Sequence, residues 1–169
     1  MSGLITTIDR LVGKIEYALL IGLTAGLTLI LSAQVVLRYF FSSPLFWAEE
    51  VAVQILISAT FIGVSYLLYT NQLVRVDLLL AGLRGAAALW MERLLNLVVL
   101  ATLLVFCYYA TDWILRPEIK ADVSPTTGLP RWYNYGVLVA AFYCMSWHQL
   151  VRLLCSFFQA KPALVEAAA

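Results

Sequence analysis

The sequence predicts an all-α integral membrane protein with four transmembrane helices and a short amphipathic interfacial helix between the second and the third. Two observations predict this fold class. Of the 169 residues, 63% are hydrophobic and only 12% are charged, whereas soluble proteins average about 45–50% apolar and about 25% charged residues. Runs without Asp, Glu, Lys or Arg cover residues 17–37, 51–74, 94–111 and 132–151, each near the roughly 17–25 residues that cross a hydrocarbon core as helix.

The first apolar run is expected to remain as a helix of the mature protein. It is longer than the roughly 7–15 residues of a signal-peptide core, and no small-x-small cleavage site follows it. The preceding residues 1–14, with Asp9, Arg10 and Lys14, are expected to form a short tail that is the solvated start of the helix, with an interfacial turn before the first span as the alternative. Because the sequence shows neither an internal repeat nor a low-complexity linker, residues 1–169 are predicted to form a single domain.

Small residues recur at helical spacing in the first two helices and predict that these helices pack closely as a hairpin. Apolar side chains gain little by leaving lipid for one another, so small faces that let backbones approach are a common basis of packing in membranes. The two faces are Ala18, Gly22, Gly26 and Ala33 in the first helix, and Ala48, Ala52, Ala59 and Gly63 in the second.

Two adjacent glutamates, Glu49 and Glu50, are predicted in the first turn of the second helix, after a turn in which Ser42 and Ser43 are candidate N-caps. The positive end of the helix dipole favours carboxylates at this position. Arg38 ends the first helix at the same membrane face, so an ion pair between Arg38 and one of the glutamates is expected. An ion-carrying or proton-carrying role is the alternative for the pair.

Residues 71–95 spread Arg75, Asp77, Arg84, Glu92 and Arg93 among leucines. This pattern predicts either an amphipathic helix along the membrane interface or a polar loop with an early start to the third span.

The loop 112–131 contains three prolines and is expected to be ordered by turns, with Pro130 opening the fourth span beside Trp132.

His148 is predicted to be a buried, hydrogen-bonded histidine. Gln34 and Asn96 are expected to form hydrogen bonds between helices, and Glu50, Gln54 and Ser58 form a polar stripe that is expected to face protein.

No catalytic, metal or cofactor site is predicted. The chain has a single histidine and three cysteines without a Cys-x-x-Cys pair, and it lacks G-x-x-x-x-G-K-[ST], H-E-x-x-H and G-x-S-x-G. A proton-coupled antiporter would need an ionisable group deep in a span, and none is evident. A partner-binding membrane subunit is favoured, with a self-sufficient homo-oligomeric transporter or channel as the alternative and a membrane enzyme or redox anchor third.

The distribution of basic residues predicts both termini in the cytoplasm, and the net charge of +1 suggests no nucleic-acid partner. On the side of the termini lie Arg10, Lys14, Arg75, Arg84, Arg93, Arg152 and Lys161, against Arg38, Arg116, Lys120 and Arg131 on the other side.

Three segments resemble the small membrane subunit of TRAP transporters, the tripartite ATP-independent periplasmic systems of bacteria and archaea. They are "VVLRYFFSSPLFWAEEVA" (35–52), "FIGVSYLLYTNQLVRVDLL" (61–79) and "TTGLPRWYNYG" (126–136). The resemblance assigns an outer hairpin motif to Arg38, Trp47, Glu49 and Glu50, a cytoplasmic motif to Arg75 and Asp77, with Arg84 beside it, and the start of the fourth helix to Gly128, Pro130 and Trp132.

This resemblance implies a four-helix, non-catalytic subunit of the bacterial inner membrane. Its implied partner is a large multi-span subunit that moves an organic acid, such as a C4-dicarboxylate or sialic acid, together with sodium by an elevator-type motion. A periplasmic binding protein delivers the substrate, and the small subunit is the static scaffold. Charged residues of the loop are candidate contacts for the binding protein, and neutralising them is expected to change docking more at low salt than at high salt. These residues are Arg116, Glu118, Lys120 and Asp122.

Overall fold

The computed structural model describes residues 2–43, 45–73 and 86–157, and most of these residues are helical. Helices in the described ranges are α1 (Ser2–Phe40), α2 (Phe46–Tyr69), α3 (Ala86–Ile114), α4 (Pro117–Ala121) and α5 (Trp132–Phe157). The segments Leu4–Phe40, Phe46–Tyr69, Leu89–Ile114 and Trp132–Phe157 are long and apolar enough to cross a membrane. The predicted four-helix membrane fold is therefore confirmed.

The predicted interfacial segment falls mainly outside the described residues. Residues 74–85, and with them Arg75, Asp77 and Arg84, lie in this gap. Where the description resumes at Ala86, the chain is already in α3, which continues to Ile114.

The N-terminal residues were expected to be the solvated start of a helix or an interfacial turn, and the helical start is confirmed because α1 begins at Ser2. The expectation that this start is solvated is wrong at Asp9 and Gly13, where α1 packs on α5 and α2. The 39 residues of α1 span about 58 Å at 1.5 Å per residue, nearly twice the roughly 30 Å of a hydrocarbon core. The early start has a packing reason. Asp9, Gly13 and Glu16 share one face of the helix. Asp9 contacts His148 of α5, Gly13 lies against Tyr69 of α2, and Glu16 accepts a hydrogen bond from Ser65 of α2.

The four long helices form a bundle in which α1 packs along α2, α2 packs on α5, and α5 packs on α3. The first part of α1 also reaches α5. Leu68, Ala141 and Met145 form a small apolar core between α2 and α5, and Phe61 and Phe142 pack against it.

The expected pairing of small faces between α1 and α2 is wrong on the α1 side. Among the residues that the structure describes, a Cβ atom built on Gly22 or Gly26 would meet no atom within 4 Å, whereas one built on Gly63 would lie 3.7 Å from Leu20. On α2, Ala48 and Ala52 are buried. The face that α1 turns to α2 instead includes Gly13, Glu16, Leu20 and Gln34, because Glu16 and Gln34 find hydrogen-bond partners there. Ala18, Gly22 and Ala33 are exposed within this chain.

The turn between α1 and α2 differs from the prediction in its caps. Leu45 is the N-cap residue of α2 and makes no side-chain cap. Ser42 has a φ of 50° and follows the end of α1, where the amides of Phe41 and Ser43 both donate to the Leu37 carbonyl. Ser42 and Ser43 therefore help to end α1 and are not N-caps of α2.

The loop 115–131 is ordered by turns around the short helix α4, as predicted. The Ser124 amide donates to the Leu129 carbonyl at 2.8 Å, and Val123 pairs with Pro130 in an antiparallel bridge. Gly128 closes this hairpin with a φ of 67°, a conformation in which glycine has no Cβ penalty.

Candidate functional site

Glu50 fastens the loop 122–131 to the first turn of α2. Arg131 Nη2 donates to Glu50 Oε1 at 3.2 Å, and the Thr126 amide donates to Glu50 Oε2 at 3.3 Å. The Thr126 hydroxyl donates to the same carboxylate oxygen. We call Glu50, Thr126, Arg131, Asp122 and Tyr135 the loop anchor.

Asp122 completes the loop anchor from within the loop. Its carboxylate accepts a hydrogen bond from the Tyr135 hydroxyl at 3.0 Å and lies 3.8 Å from Arg131 Nη1. The hydrogen bond to Glu50, followed by the charge of Asp122, raises the pKa of Arg131 above its ordinary value. The sequence grouped Asp122 with the loop charges that are candidate contacts for the binding protein, and the structure pairs it with Arg131 and Tyr135.

Glu49 points in a different direction from Glu50, because adjacent helical residues are about 100° apart around the axis. Glu49 Oε1 accepts a hydrogen bond from Gln34 Nε2 at 3.0 Å, so it joins α2 to α1. Within the described residues, Arg38 forms no ion pair with either glutamate and is exposed. The expected ion pair between Arg38 and one of the glutamates is therefore wrong. The loop brings Arg131 to Glu50, and Gln34 donates a hydrogen bond to Glu49.

The two glutamates provide a matched pair of variants. Glu50→Ala removes both the ion pair and the acceptor for Thr126, so we expect faster amide hydrogen exchange in residues 124–131. The change in overall stability should be small, since ion pairs that water reaches contribute little. Hydrogen exchange followed by mass spectrometry measures the effect. Glu49→Ala is the control and should leave exchange in this loop unchanged; equal exchange in both variants would contradict the anchor.

Polar side chains inside the bundle join helices, as the sequence predicted for several of them. Ser58 Oγ donates to Asn134 Oδ1 at 2.9 Å, between α2 and α5. Gln149 Nε2 donates to the Asn96 side-chain oxygen at 3.1 Å, between α5 and α3. The predictions that His148 is buried and that Gln34 and Asn96 bond between helices are confirmed.

A buried group of polar side chains lies near the other end of the bundle, and sequence reasoning missed it. Asp9 and Glu16 come from α1, Ser65 from α2 and His148 from α5; we call these four residues the polar clasp. His148 Nδ1 is 2.6 Å from Asp9 Oδ1, and His148 Nε2 is 3.3 Å from Glu16 Oε2. Ser65 Oγ donates to Glu16 Oε1 at 2.6 Å. The signal available in the sequence was the spacing of Asp9 and Glu16, which places both on one face of a helix.

The remaining residues singled out in the sequence lie on the surface or in turns. Arg116 and Asp112 form an exposed ion pair at 2.9 Å, which raises the pKa of Arg116. Glu118 and Lys120 are exposed on α4.

At the start of α5, Trp132 stacks on Tyr133, with ring centroids 4.1 Å apart. In the described ranges, no group of three or more His, Cys, Asp and Glu side chains is arranged to hold a metal ion.

Residues 27–159 match the family described as "Tripartite ATP-independent periplasmic transporters, DctQ component". The chain belongs to this family. It is also 25% identical over 154 residues to a protein of Haemophilus influenzae (strain ATCC 51907 / DSM 11121 / KW20 / Rd) that carries the name of a TRAP transporter small permease protein, covering 90% of this chain and 93% of the relative. The DctQ match includes the whole loop anchor and begins after Asp9 and Glu16 of the polar clasp.

Proposed function

We propose that this DctQ-family chain is the non-catalytic small membrane subunit of a sodium-coupled, binding-protein-dependent transporter for organic acids. In this proposal it is the static scaffold against which a large elevator-type subunit moves. The family supports the role of a transporter subunit. The observation that carries the scaffold role is the exposure of α1, whose most apolar stretch has none of its residues buried within the chain.

The exposed side of α1 is our candidate surface for the large subunit. Gly22 lies on this side, and no atom of the described residues lies within 4 Å of a Cβ built there. A shallow apolar groove follows the same stretch of helix and is lined by Leu20, Ile21, Thr24, Ala25, Thr28 and Leu29. Small residues beside a groove let a partner helix approach closely in a membrane.

Polar contacts between elements at both ends of the bundle support a static scaffold. The loop anchor fixes the loop to α2, and the polar clasp fixes α1 to α2 and α5. A subunit that carried the substrate itself would need a polar path through its interior. Part of the interior between α2 and α5 is instead filled by the apolar side chains of Leu68, Ala141 and Met145.

We infer that the loop end of the bundle faces the periplasm and that both termini face the cytoplasm, in the inner membrane. The basic residues support this orientation. Arg116, Glu118 and Lys120 then form the proposed contact surface for the binding protein, without Asp122, which is engaged in the loop anchor. Arg38 and Trp47 remain exposed at the same end and are proposed contacts for the large subunit.

Recovery of the chain from native membranes in mild detergent, with mass spectrometry of what accompanies it, tests the proposal. We expect a larger polytopic protein in stoichiometric amount. Gly22→Leu should lower the recovery of that protein, since overpacking an interface costs about 1–3 kcal/mol, or roughly 5- to 150-fold in affinity.

Ala101→Leu is the matched control, because Ala101 is an exposed small residue on α3; it should leave recovery unchanged. If both variants retain the partner equally, α1 is not the interface. Recovery of the chain alone, as a stable homo-oligomer in several detergents, would favour a self-sufficient transporter or channel instead.

A further inference from the structure

The polar clasp buries the ionisable side chains of Glu16 and His148 and covers most of Asp9. His148 and Glu16 are only 3% and 5% exposed. Two carboxylates flank the single imidazole, with Asp9 at Nδ1 and Glu16 at Nε2. Ionised groups inside a membrane protein are costly unless they are paired, so their presence marks a functional site by default.

The hydrogen-bonding inventory of histidine shows what this arrangement requires. A neutral imidazole has one N–H donor and one acceptor nitrogen, whereas an imidazolium has two donors. The bond of Nδ1 to Asp9 uses one donor. Glu16 Oε2 and His148 Nε2 face each other at 3.3 Å, and both atoms are buried without any other hydrogen-bond partner. A neutral imidazole would therefore oppose a nitrogen lone pair to a carboxylate oxygen, and a second proton removes this repulsion.

Water reaches the polar clasp at one end of the bundle and is the source of this proton. Asp9 is the most exposed ionisable member, with 13% of its side chain accessible. The Tyr69 ring of α2 packs on the imidazole, with centroids 5.1 Å apart. The Arg152 guanidinium, one turn farther along α5, donates to the Leu68 carbonyl. The titratable and charged groups around the site are Asp9, Arg10 and Glu16 of α1, Tyr66 and Tyr69 of α2, and Cys144, Arg152 and Cys155 of α5.

We propose that Asp9, Glu16 and His148 form a proton-binding site in which His148, as imidazolium, donates to both carboxylates and fastens the first part of α1 to α5. The proton enters from water at the end of the bundle where Asp9 is partly exposed, and no other bond is formed or broken. The fastening is present while His148 is protonated and the carboxylates are ionised. It weakens as rising pH removes the proton from His148.

Nitrogen-15 NMR of the full chain in lipid bilayers tests this site directly, because His148 is the single histidine of the sequence. The chain carries [15N]histidine and a tag without histidine. An ordinary histidine, with a pKa of about 6.5, is only about 1% protonated at pH 8.5. We expect both ring nitrogens of His148 to be protonated at that pH, with a strongly downfield Nδ1 proton from the short bond to Asp9.

Carboxylate variants identify the source of the proton affinity. Asp9→Asn and Glu16→Gln should each lower the pH at which His148 titrates by about one unit or more, a tenfold loss in proton affinity. Glu49→Gln, a carboxylate at the other end of the bundle, should leave the titration unchanged. A neutral imidazole in the wild-type chain at pH 8.5 overturns the proposal, whether or not the variants fold. So does a charged imidazole whose titration is the same in both clasp variants.

Discussion

Replacing His148 by leucine is expected to lower the free energy of unfolding by about 3–5 kcal/mol, the cost of removing one partner from a buried ion pair. Leucine retains much of the buried volume, so the loss reports the polar interactions. Asp9 and Glu16 would face each other across an apolar side chain, with Ser65 still donating to Glu16. Reversible unfolding in mixed micelles of mild detergent and dodecyl sulfate, followed by tryptophan fluorescence, measures the change.

A triple variant provides the control for this result. Asp9→Asn and Glu16→Gln, added to His148→Leu, remove the carboxylate charges, so most of the lost stability should return. Replacing a complete buried charge cluster by neutral groups is often close to neutral in stability, whereas breaking it is not. A single-variant loss below about 1 kcal/mol, or a triple variant as unstable as His148→Leu, would show that the polar clasp is not ionised.

Replacing Gly13 by leucine is expected to lower the free energy of unfolding by about 1–3 kcal/mol through overpacking. A Cβ atom at Gly13 would lie 2.5 Å from Tyr69 Cε1, closer than real Cβ contacts allow. The Tyr69 ring cannot retreat freely, because it packs on both His148 and Tyr66. The first part of α1 would therefore move away from α2, and the same unfolding measurement reports the loss.

Gly22→Leu is the matched control for Gly13→Leu. Both substitutions replace a glycine within the same helix by a strong helix former, so the change in helix propensity is similar. Only Gly13 has an atom of the chain within 4 Å of the new Cβ. We expect Gly22→Leu to leave the stability of the isolated subunit unchanged or slightly higher. Equal losses in the two variants would contradict the close approach of α1 and α2 at Gly13.

The helices and the family could be predicted from the sequence because they depend on local information. The charge-free runs predicted the four membrane segments, and residues 2–14 of α1 were expected to be a solvated helix start. Their polar character suggests contact with water, but part of this segment is covered through contacts with His148 and Tyr69 that are remote in sequence. The small faces identified helices that pack tightly, but helical spacing alone could not show that Gly22 points away from α2.

The four membrane helices could be predicted from the amino-acid sequence, because the bilayer imposes a length and composition that any spanning helix must meet. The DctQ family could be predicted from three short sequence motifs. The contacts between side chains could be read from the folded chain alone. Arg131 and Glu50 are 81 residues apart, and His148 and Asp9 are 139 residues apart. Such pairs depend on how the helices are rotated and on the path of the loop. Adjacent glutamates with identical local chemistry therefore have different partners, Gln34 for Glu49 and Arg131 for Glu50.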